Sequence, residues 1–155
     1  MSLRRGKNLG DLIVILRQEE GGTGPCGKDC KLCKNMRATE EVTDKDGKEM
    51  KLEKKIDCRT IGLIYGMHCK ACKKIVYVGK TKNRLMERFN GHRADLHMED
   101  DSKPAYHFKK EEHEEDDMQV IGLEYVPGED DIYRITRERW WMNRLGTFEE
   151  ENRKR

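Results

Sequence analysis

Two short apolar runs near the middle of the chain have the composition of β-strands. They cover residues 61–65 (IGLIY) and 75–79 (IVYVG), and the segment between them contains Cys69 and Cys72. Runs rich in β-branched and aromatic residues, bounded by polar segments, predict strands. We therefore predict a β-hairpin whose connection carries a pair of cysteines.

Downstream of the hairpin, the spacing of apolar residues becomes helical. Leu85, Phe89 and Leu96 fall on one side of a helix predicted over residues 82–97, with Thr81 as its N-cap. Residues three or four apart share a helix face. This first helix therefore has one apolar side that can pack on the predicted hairpin.

A third strand and a second helix follow. Residues 118–126 (MQVIGLEYV) form an apolar run that Pro127–Gly128 ends, and residues 130–145 have helical spacing. The predicted apolar face of this second helix consists of Ile132, Ile135, Met142 and Leu145. The order β-β-α-β-α predicts an α+β fold, a small sandwich in which helices flank a three-stranded antiparallel sheet.

The first part of the chain differs in character from this domain. Residues 1–20 look like a short connector, glycines and a proline interrupt residues 21–25, and residues 34–57 are polar with a turn predicted at Asp46–Gly47. We predict that residues 1–58 form a linker with a cysteine-rich, zinc-binding segment, and that residues 59–155 form the α+β domain.

Composition limits the size of the core and the classes of partner. The chain is 40% charged and 35% hydrophobic, so a bound metal or a partner is expected to add stability. Its formal net charge of +2 alone does not indicate a nucleic-acid-binding protein, although residues 70–93 are strongly basic. An apolar run long enough to span a membrane is absent, as is a secretory signal, so an intracellular placement is the expectation.

The two cysteines of the predicted hairpin are candidate zinc ligands. Cys69-x2-Cys72 places two sulfurs within reach of one tetrahedral ion, and His107 and His113 downstream complete a CCHH set. The alternative is a pair of free thiols with two surface histidines. A thioredoxin-like redox pair is disfavoured, because such a pair lies between a strand and a helix.

A second set of four cysteines consists of Cys26, Cys30, Cys33 and Cys58. It predicts another zinc site, and the alternative is burial of single cysteines. Four protein ligands leave no open position on the ion, so both predicted sites are structural. His68 and His97 remain alternative ligands.

Several polar side chains on the predicted elements are candidates for catalysis. Arg88 and His92 are four residues apart on one helix face, which Arg84 extends; a solvated basic face is the alternative. Glu138 lies on the apolar stripe of the second helix, where a carboxylate requires a cation or a hydrogen-bond partner such as an arginine. The hydroxyls of the strand residues Tyr65 and Tyr77 can converge, although strand tyrosines commonly pack only their rings.

These residues resemble the active site of the GIY-YIG nucleases. The matching positions, spread over roughly residues 59–152, are Leu63-Ile64-Tyr65, Tyr77-Val78-Gly79, Arg88, His92 and Glu138. The resemblance implies a DNA endonuclease in which Glu138 binds Mg²⁺ or Mn²⁺, and it adds Asn152 to the catalytic residues. Two departures are LIY in place of GIY, and Glu150-Glu151-Asn152 where the family has G-L-N.

The resemblance also implies roles for the matched residues. Arg88 would offset charge on the phosphate, and Tyr65 or Tyr77, assisted by His92, would orient or deprotonate the attacking water. The basic residues Lys80, Lys82 and Arg84 would contact the DNA backbone. The competing interpretations are a zinc-dependent nucleic-acid-binding module without catalysis and a protein-interaction domain.

The chain is most similar to the endonuclease domains of Penelope-like retroelements. It shares with them the cysteine pair between the tyrosine motifs, the phrase from His107-Phe108 to His113, and the sequence from Arg137-Glu138 to Thr147. This resemblance implies a role in retroelement integration, nuclear action, and a larger polypeptide that includes a reverse transcriptase.

Overall fold

The computed structural model describes residues 21–97, 103–109 and 113–147. The strands in this part of the chain are β1 (Gly22–Thr23), β2 (Glu41–Thr43), β3 (Glu49–Lys51), β4 (Lys55–Ile56), β5 (Ile61–Cys69), β6 (Lys74–Arg84) and β7 (Met118–Tyr125). The helices are α1 (Leu85–Leu96), α2 (Lys103–Phe108) and α3 (Asp131–Leu145). Short 3-10 turns cover Cys33–Asn35 and Glu115–Asp117.

The centre of the fold is a three-stranded antiparallel sheet in the order β6-β5-β7. Two smaller pairs lie beside it, the antiparallel hairpin β2–β3 and the parallel pair β1–β4. The predicted α+β fold and its three-stranded sheet are therefore confirmed. The hairpin strands are longer than predicted, because β5 extends to Cys69 and β6 extends to Arg84.

The middle strand β5 is buried on both faces, which explains its continuous apolar run. Leu63, Tyr65 and Met67 face a first core cluster that includes α1 and residues of the cysteine-rich linker. Ile64 faces a second cluster, which includes Trp141 of α3. The sheet thus separates a face covered by α1, α2 and the linker from a face covered by α3 and β2–β3.

The start of the first helix differs from the prediction. Thr81 is not an N-cap: it lies in β6, paired with Leu63, and α1 begins only at Leu85 after Arg84. Thr81 and Arg84 pair with Leu63 and Ile61 of β5 and keep the residues between them in the strand, so this tertiary contact overrides their local helix propensity. The apolar face of α1 is as predicted, since Leu85 and Phe89 are buried and Leu96 packs against the same cluster.

The apolar face predicted for the second helix is only partly correct. Met142 and Leu145 pack against the second cluster, whereas Ile132 is 78% exposed and Ile135 is 37% exposed. The most buried positions of α3 are Arg134 and Trp141. The prediction was wrong because hydrophobic periodicity assigned the buried positions to isoleucines, whereas an arginine whose guanidinium is hydrogen-bonded occupies a buried position.

The ends of α3 follow simple backbone chemistry. The carboxylate of Asp130 accepts a hydrogen bond from the backbone N–H of Tyr133 at 2.9 Å, which caps the first turn. Gly146 ends the helix in the left-handed conformation, with φ of 73°. The short helix α2, which contains His107, was not predicted.

Candidate active site

Tyr65, His92 and Arg88 form a hydrogen-bonded group on the first face of the sheet. The Tyr65 hydroxyl lies 2.6 Å from His92 Nε2, and Arg88 Nε donates to the same hydroxyl oxygen at 3.1 Å. Tyr65 and His92 are buried, with 1% and 2% of their surfaces exposed, while Arg88 lies at the exposed rim. Strand β5 and helix α1 thus bring together three of the predicted catalytic residues.

The protonation states of His92 and Tyr65 follow mainly from their burial. Burial, reinforced by the charge of Arg88, lowers the pKa of His92 to about 3, so the imidazole is neutral. Burial and the neighbouring Tyr77 raise the pKa of Tyr65, so the phenol keeps its proton. Arg88 can only donate, so the Tyr65 oxygen accepts from it, and a single proton lies between this hydroxyl oxygen and His92 Nε2.

Tyr77 completes the group from the edge strand. Its ring is half-buried, 6.4 Å from the Tyr65 ring and 5.7 Å from the His92 ring, measured between centroids. Gly79 makes room for both tyrosines: a Cβ there would lie 2.6 Å from the Tyr65 hydroxyl oxygen and 2.8 Å from Tyr77 Cε2. Gly79 belongs to the tyrosine motif of the sequence, but its steric role was not predicted. A glycine within an apolar strand is a signal of such a close approach.

Glu138 lies on α3 with a half-buried side chain. The position of Glu138 on the predicted apolar stripe implied a buried carboxylate, so this side chain is less buried than predicted. Burial and Tyr77 raise the pKa of Tyr65, Arg88 opposes them, and the charge of Glu138 adds to the increase, so the carboxylate is within electrostatic reach of the hydroxyl. Two arginines on the same helix bind other carboxylates: Arg134 binds Asp131 and Arg137 binds Glu124, each at 2.8 Å.

The predicted DNA-contacting residues line the end of the edge strand. Lys80, Lys82 and Arg84 are exposed, whereas Thr81 between them is buried. Alternation along the strand puts Lys80 and Lys82 on the side opposite Thr81, and a register shift against β5 ends this alternation before Arg84. Lys82 Nζ lies 2.8 Å from Asp131 Oδ2, which links this end of β6 to the start of α3.

The four cysteines of the linker converge. Their sulfur atoms all lie within 4.8 Å of one another, and Cys33 Sγ is 3.5 Å from Cys26, 3.6 Å from Cys30 and 3.9 Å from Cys58. Zn–S bonds of about 2.3 Å in a tetrahedron place sulfurs roughly 3.8 Å apart. The group therefore has the dimensions of a four-thiolate zinc site.

The second predicted set also converges. The ligand atoms of Cys69, Cys72, His107 and His113 lie within 4.8 Å of one another. Cys72 Sγ is 3.7 Å from His107 Nε2 and 3.3 Å from His113 Nε2, close to the roughly 3.5 Å between sulfur and nitrogen in a tetrahedral zinc site. The Cys72 backbone N–H donates to Cys69 Sγ at 3.4 Å, a contact that stabilises a thiolate.

The alternative ligands lie elsewhere. His68 Nδ1 contacts Gln119 Oε1 at 3.1 Å, and exposed His97 lies 3.6 Å from a Glu115 carboxylate oxygen. Neither histidine belongs to either group of converging ligands. None of the cysteines forms a disulfide. Asn152 lies outside the described residues.

A family model described as the GIY-YIG catalytic domain matches residues 61–152, which is more than half of the chain. No curated protein and no solved structure matches the chain. Within the ranges that the structure describes, no helix has the length and apolarity needed to cross a membrane.

Proposed function

The chain belongs to the GIY-YIG family, and from this premise we propose that it is a metal-dependent endonuclease that hydrolyses phosphodiester bonds of DNA. The family match makes it a nuclease domain with a nucleic-acid substrate. The observation that carries the proposal is the contact of 2.6 Å between the Tyr65 hydroxyl and His92 Nε2, beside Arg88. Tyr65 and His92, buried next to the cation of Arg88, can pass a proton between them.

The geometry supports Tyr65, rather than Tyr77, as the residue that handles the proton of the attacking water. Its hydroxyl oxygen accepts from Arg88 and lies 2.6 Å from His92 Nε2, so, with His92 as its Nδ1–H tautomer, it can accept a water proton while its own proton passes to Nε2. The pKa of His92, about 3, opposes this step in the free protein. An anionic phosphate bound beside Arg88 would raise that pKa and make the transfer easier.

Other residues then complete the chemistry. Arg88, at the exposed rim, offsets charge that develops on the phosphoryl oxygens. The half-buried carboxylate of Glu138 suits Mg²⁺ or Mn²⁺, because such ions bind one or two protein carboxylates and leave other positions to water and phosphate oxygens. When bound, the ion supplies Lewis acidity toward the phosphodiester. Lys80, Lys82 and Arg84 hold the DNA backbone, and we assign Asn152 to the site from the family resemblance alone.

We assign the two converging ligand groups to structural Zn²⁺. The ligand separations support a four-cysteine site at Cys26, Cys30, Cys33 and Cys58, and a CCHH site at Cys69, Cys72, His107 and His113. The first would hold the linker of residues 1–58 against the catalytic domain of residues 59–155. The second would hold α2 against the β5–β6 turn.

The biological setting is proposed from the resemblance of the sequence motifs. The cysteine pair between the tyrosine motifs and the histidine pair downstream support a relationship to Penelope-like retroelements. In that setting the domain would be joined to a reverse transcriptase and would cut target DNA in the nucleus during integration.

Nicking of supercoiled plasmid tests the function. We expect nicking that requires added Mg²⁺ or Mn²⁺ and falls at least about 100-fold in Glu138→Gln and in Arg88→Ala. Matched controls are Glu87→Gln, an exposed carboxylate on α1, and Arg139→Ala, an exposed arginine on α3. Both controls should cut normally.

Two results would contradict this assignment. Near-normal nicking by Glu138→Gln or Arg88→Ala would remove those residues from the site. Absence of nicking by folded, zinc-loaded protein with every divalent ion would instead support the alternative, a zinc-dependent nucleic-acid-binding module without catalysis.

A further inference from the structure

A second concave surface lies on the opposite face of the sheet from Tyr65 and His92. It is a cavity of about 590 Å³. Strand β2, the turn between β5 and β6, and the end of α3 contribute to its walls. Most of its lining is polar, and the apolar part comes from Val42, Ile75, Ile121 and Leu145, all of which belong to or pack against the second core cluster. We call this surface the rear cleft.

The rim of the rear cleft carries an excess of positive charge. Its cations are Arg37, Lys45, Lys73 and Lys74, and its carboxylates are those of Glu41 and Asp44. Asp44 is already engaged: it accepts from the backbone N–H groups of Asp46 and Lys48 at 2.9 Å each, and Arg144 Nε lies 3.4 Å from its other oxygen. The cations of the rim are therefore balanced mainly by Glu41.

The inner wall adds directed polar groups. His68 is 8% exposed, and its Nδ1 lies 3.1 Å from the side-chain oxygen of Gln119. Arg37 donates to the same oxygen at 3.5 Å. These contacts hold an imidazole and a guanidinium on one oxygen at the cleft wall.

We propose that the rear cleft binds an unpaired strand of nucleic acid, as a second contact site remote from the scissile phosphate. The four cations fit the phosphates of a strand, and the apolar part of the lining fits the sugars and bases between them. A volume of about 590 Å³ falls in the range of single-ligand sites and accommodates a short strand rather than a duplex. This proposal rests on the nucleic-acid substrate of the proposed function.

Binding measurements can test the rear cleft without cleavage. In a Glu138→Gln background without divalent metal, we would compare a labelled duplex carrying a single-stranded extension with a blunt duplex of equal length. The test variant is Lys45→Glu/Lys74→Glu. The matched control is Lys48→Glu/Lys70→Glu, which makes the same charge change in the same two turns at exposed residues that do not line the cleft.

The test variant should bind the extended substrate at least about tenfold more weakly, with a shallower salt dependence, because two phosphate contacts are lost. Its affinity for the blunt duplex should match that of the control variant. An equal loss in both variants would overturn the proposal and leave only general electrostatics. A loss for the blunt duplex as large as for the extended one would overturn the unpaired strand as the occupant.

The nicking assay separates this proposal from the proposed function. With Glu138 intact, the Lys45→Glu/Lys74→Glu variant should still nick a supercoiled plasmid, which confirms that the catalytic face is whole. If this variant nicks DNA and also binds the extended substrate with normal affinity, the proposed binding role of the rear cleft is overturned. The proposed nuclease function is then unaffected. If no variant binds nucleic acid at all, both proposals fail.

Discussion

At the scale of single residues, the hydroxyl of Tyr65 lies between a cation and a neutral imidazole. Arg88 donates to it at 3.1 Å, and His92 Nε2 is 2.6 Å away. Tyr77 shares the ring contacts, with its centroid 6.4 Å from that of Tyr65, and it also hydrogen-bonds to Arg88, but it is half-buried on the edge strand. The two tyrosines are therefore not equivalent, although the sequence presents them as a pair.

Conservative substitutions separate the two tyrosines. Tyr65→Phe keeps the packing of the ring and removes the proton path, so single-turnover nicking should fall by about 100-fold or more. Tyr77→Phe should lose less activity if Tyr65 handles the water proton. Circular dichroism and zinc content would check that both variants fold. Equal losses, or a larger loss in Tyr77→Phe, would contradict the assignment.

His92 also links the active site to stability against acid. Its pKa in the folded protein, about 3, lies below the ordinary value of 6.5. Between these pH values the unfolded chain takes up a proton that the folded chain does not, so stability is full above pH 6.5 and is lost as pH falls toward 3. The contribution to the slope is up to about 1.4 kcal/mol per pH unit.

Denaturant unfolding of wild type and His92→Gln at several pH values below 6.5 measures this contribution. Protonation of the cysteine and histidine ligands also destabilises the protein in acid, but it does so in both proteins. The free energy of unfolding should therefore fall less steeply with acidification in His92→Gln. Parallel curves would show that His92 does not titrate with the expected depressed pKa.

At the scale of elements, helix α3 is fixed by a buried arginine. Arg134 is 1% exposed, and its guanidinium donates to the carbonyl oxygens of Val126 and Gly128 and to the carboxylate of Asp131. These bonds tie the first turns of α3 to the end of β7. They set the direction in which the helix carries Glu138 toward the edge strand.

Replacement of Arg134 should be costly. Arg134→Met keeps much of the volume but removes the donors to the Val126 and Gly128 carbonyls, so we expect a loss of about 2–4 kcal/mol in the free energy of unfolding. The exposed Arg139→Met on the same helix should change it by less than about 0.5 kcal/mol. A small effect at Arg134 would mean that water satisfies these carbonyls as well as the guanidinium does.

At the scale of the whole molecule, the linker and the catalytic domain share one core. Leu32, Met36 and Cys58 lie in the same buried cluster as Tyr65 and Phe89. Buried Cys58 has a raised pKa because of desolvation, so its thiol stays protonated unless a cation stabilises the thiolate. Zinc at the four cysteines would then stabilise the core next to the active site.

Removal of zinc should therefore lower both stability and nicking. We expect two equivalents of zinc per chain by elemental analysis, and a lower midpoint of thermal unfolding after treatment with a strong chelator. Cys58→Ser should reduce the zinc content by one equivalent and keep the other. A full zinc content in Cys58→Ser would remove Cys58 from the ligands.

The sequence alone determined the fold class, the three sheet strands and the apolar face of α1, and it proposed the groups of cysteines and histidines that converge, with His68 and His97 left open as alternatives. These features follow from local periodicity and from residue types with narrow chemistry. Sequence reasoning misplaced the start of α1 and the buried face of α3. Both errors have one cause, because strand pairing and buried hydrogen bonds can override local propensity and hydrophobicity.

Only the tertiary structure decided how the candidate residues are arranged. It brought Tyr65 of β5 to 2.6 Å from His92 of α1, distinguished Tyr65 from Tyr77, and formed the rear cleft from residues 37–45, the β5–β6 turn and the end of α3. Spacing along the chain can place residues on one face of one element. It cannot give the distance between atoms of different elements, because packing sets the relative position of a strand and a helix.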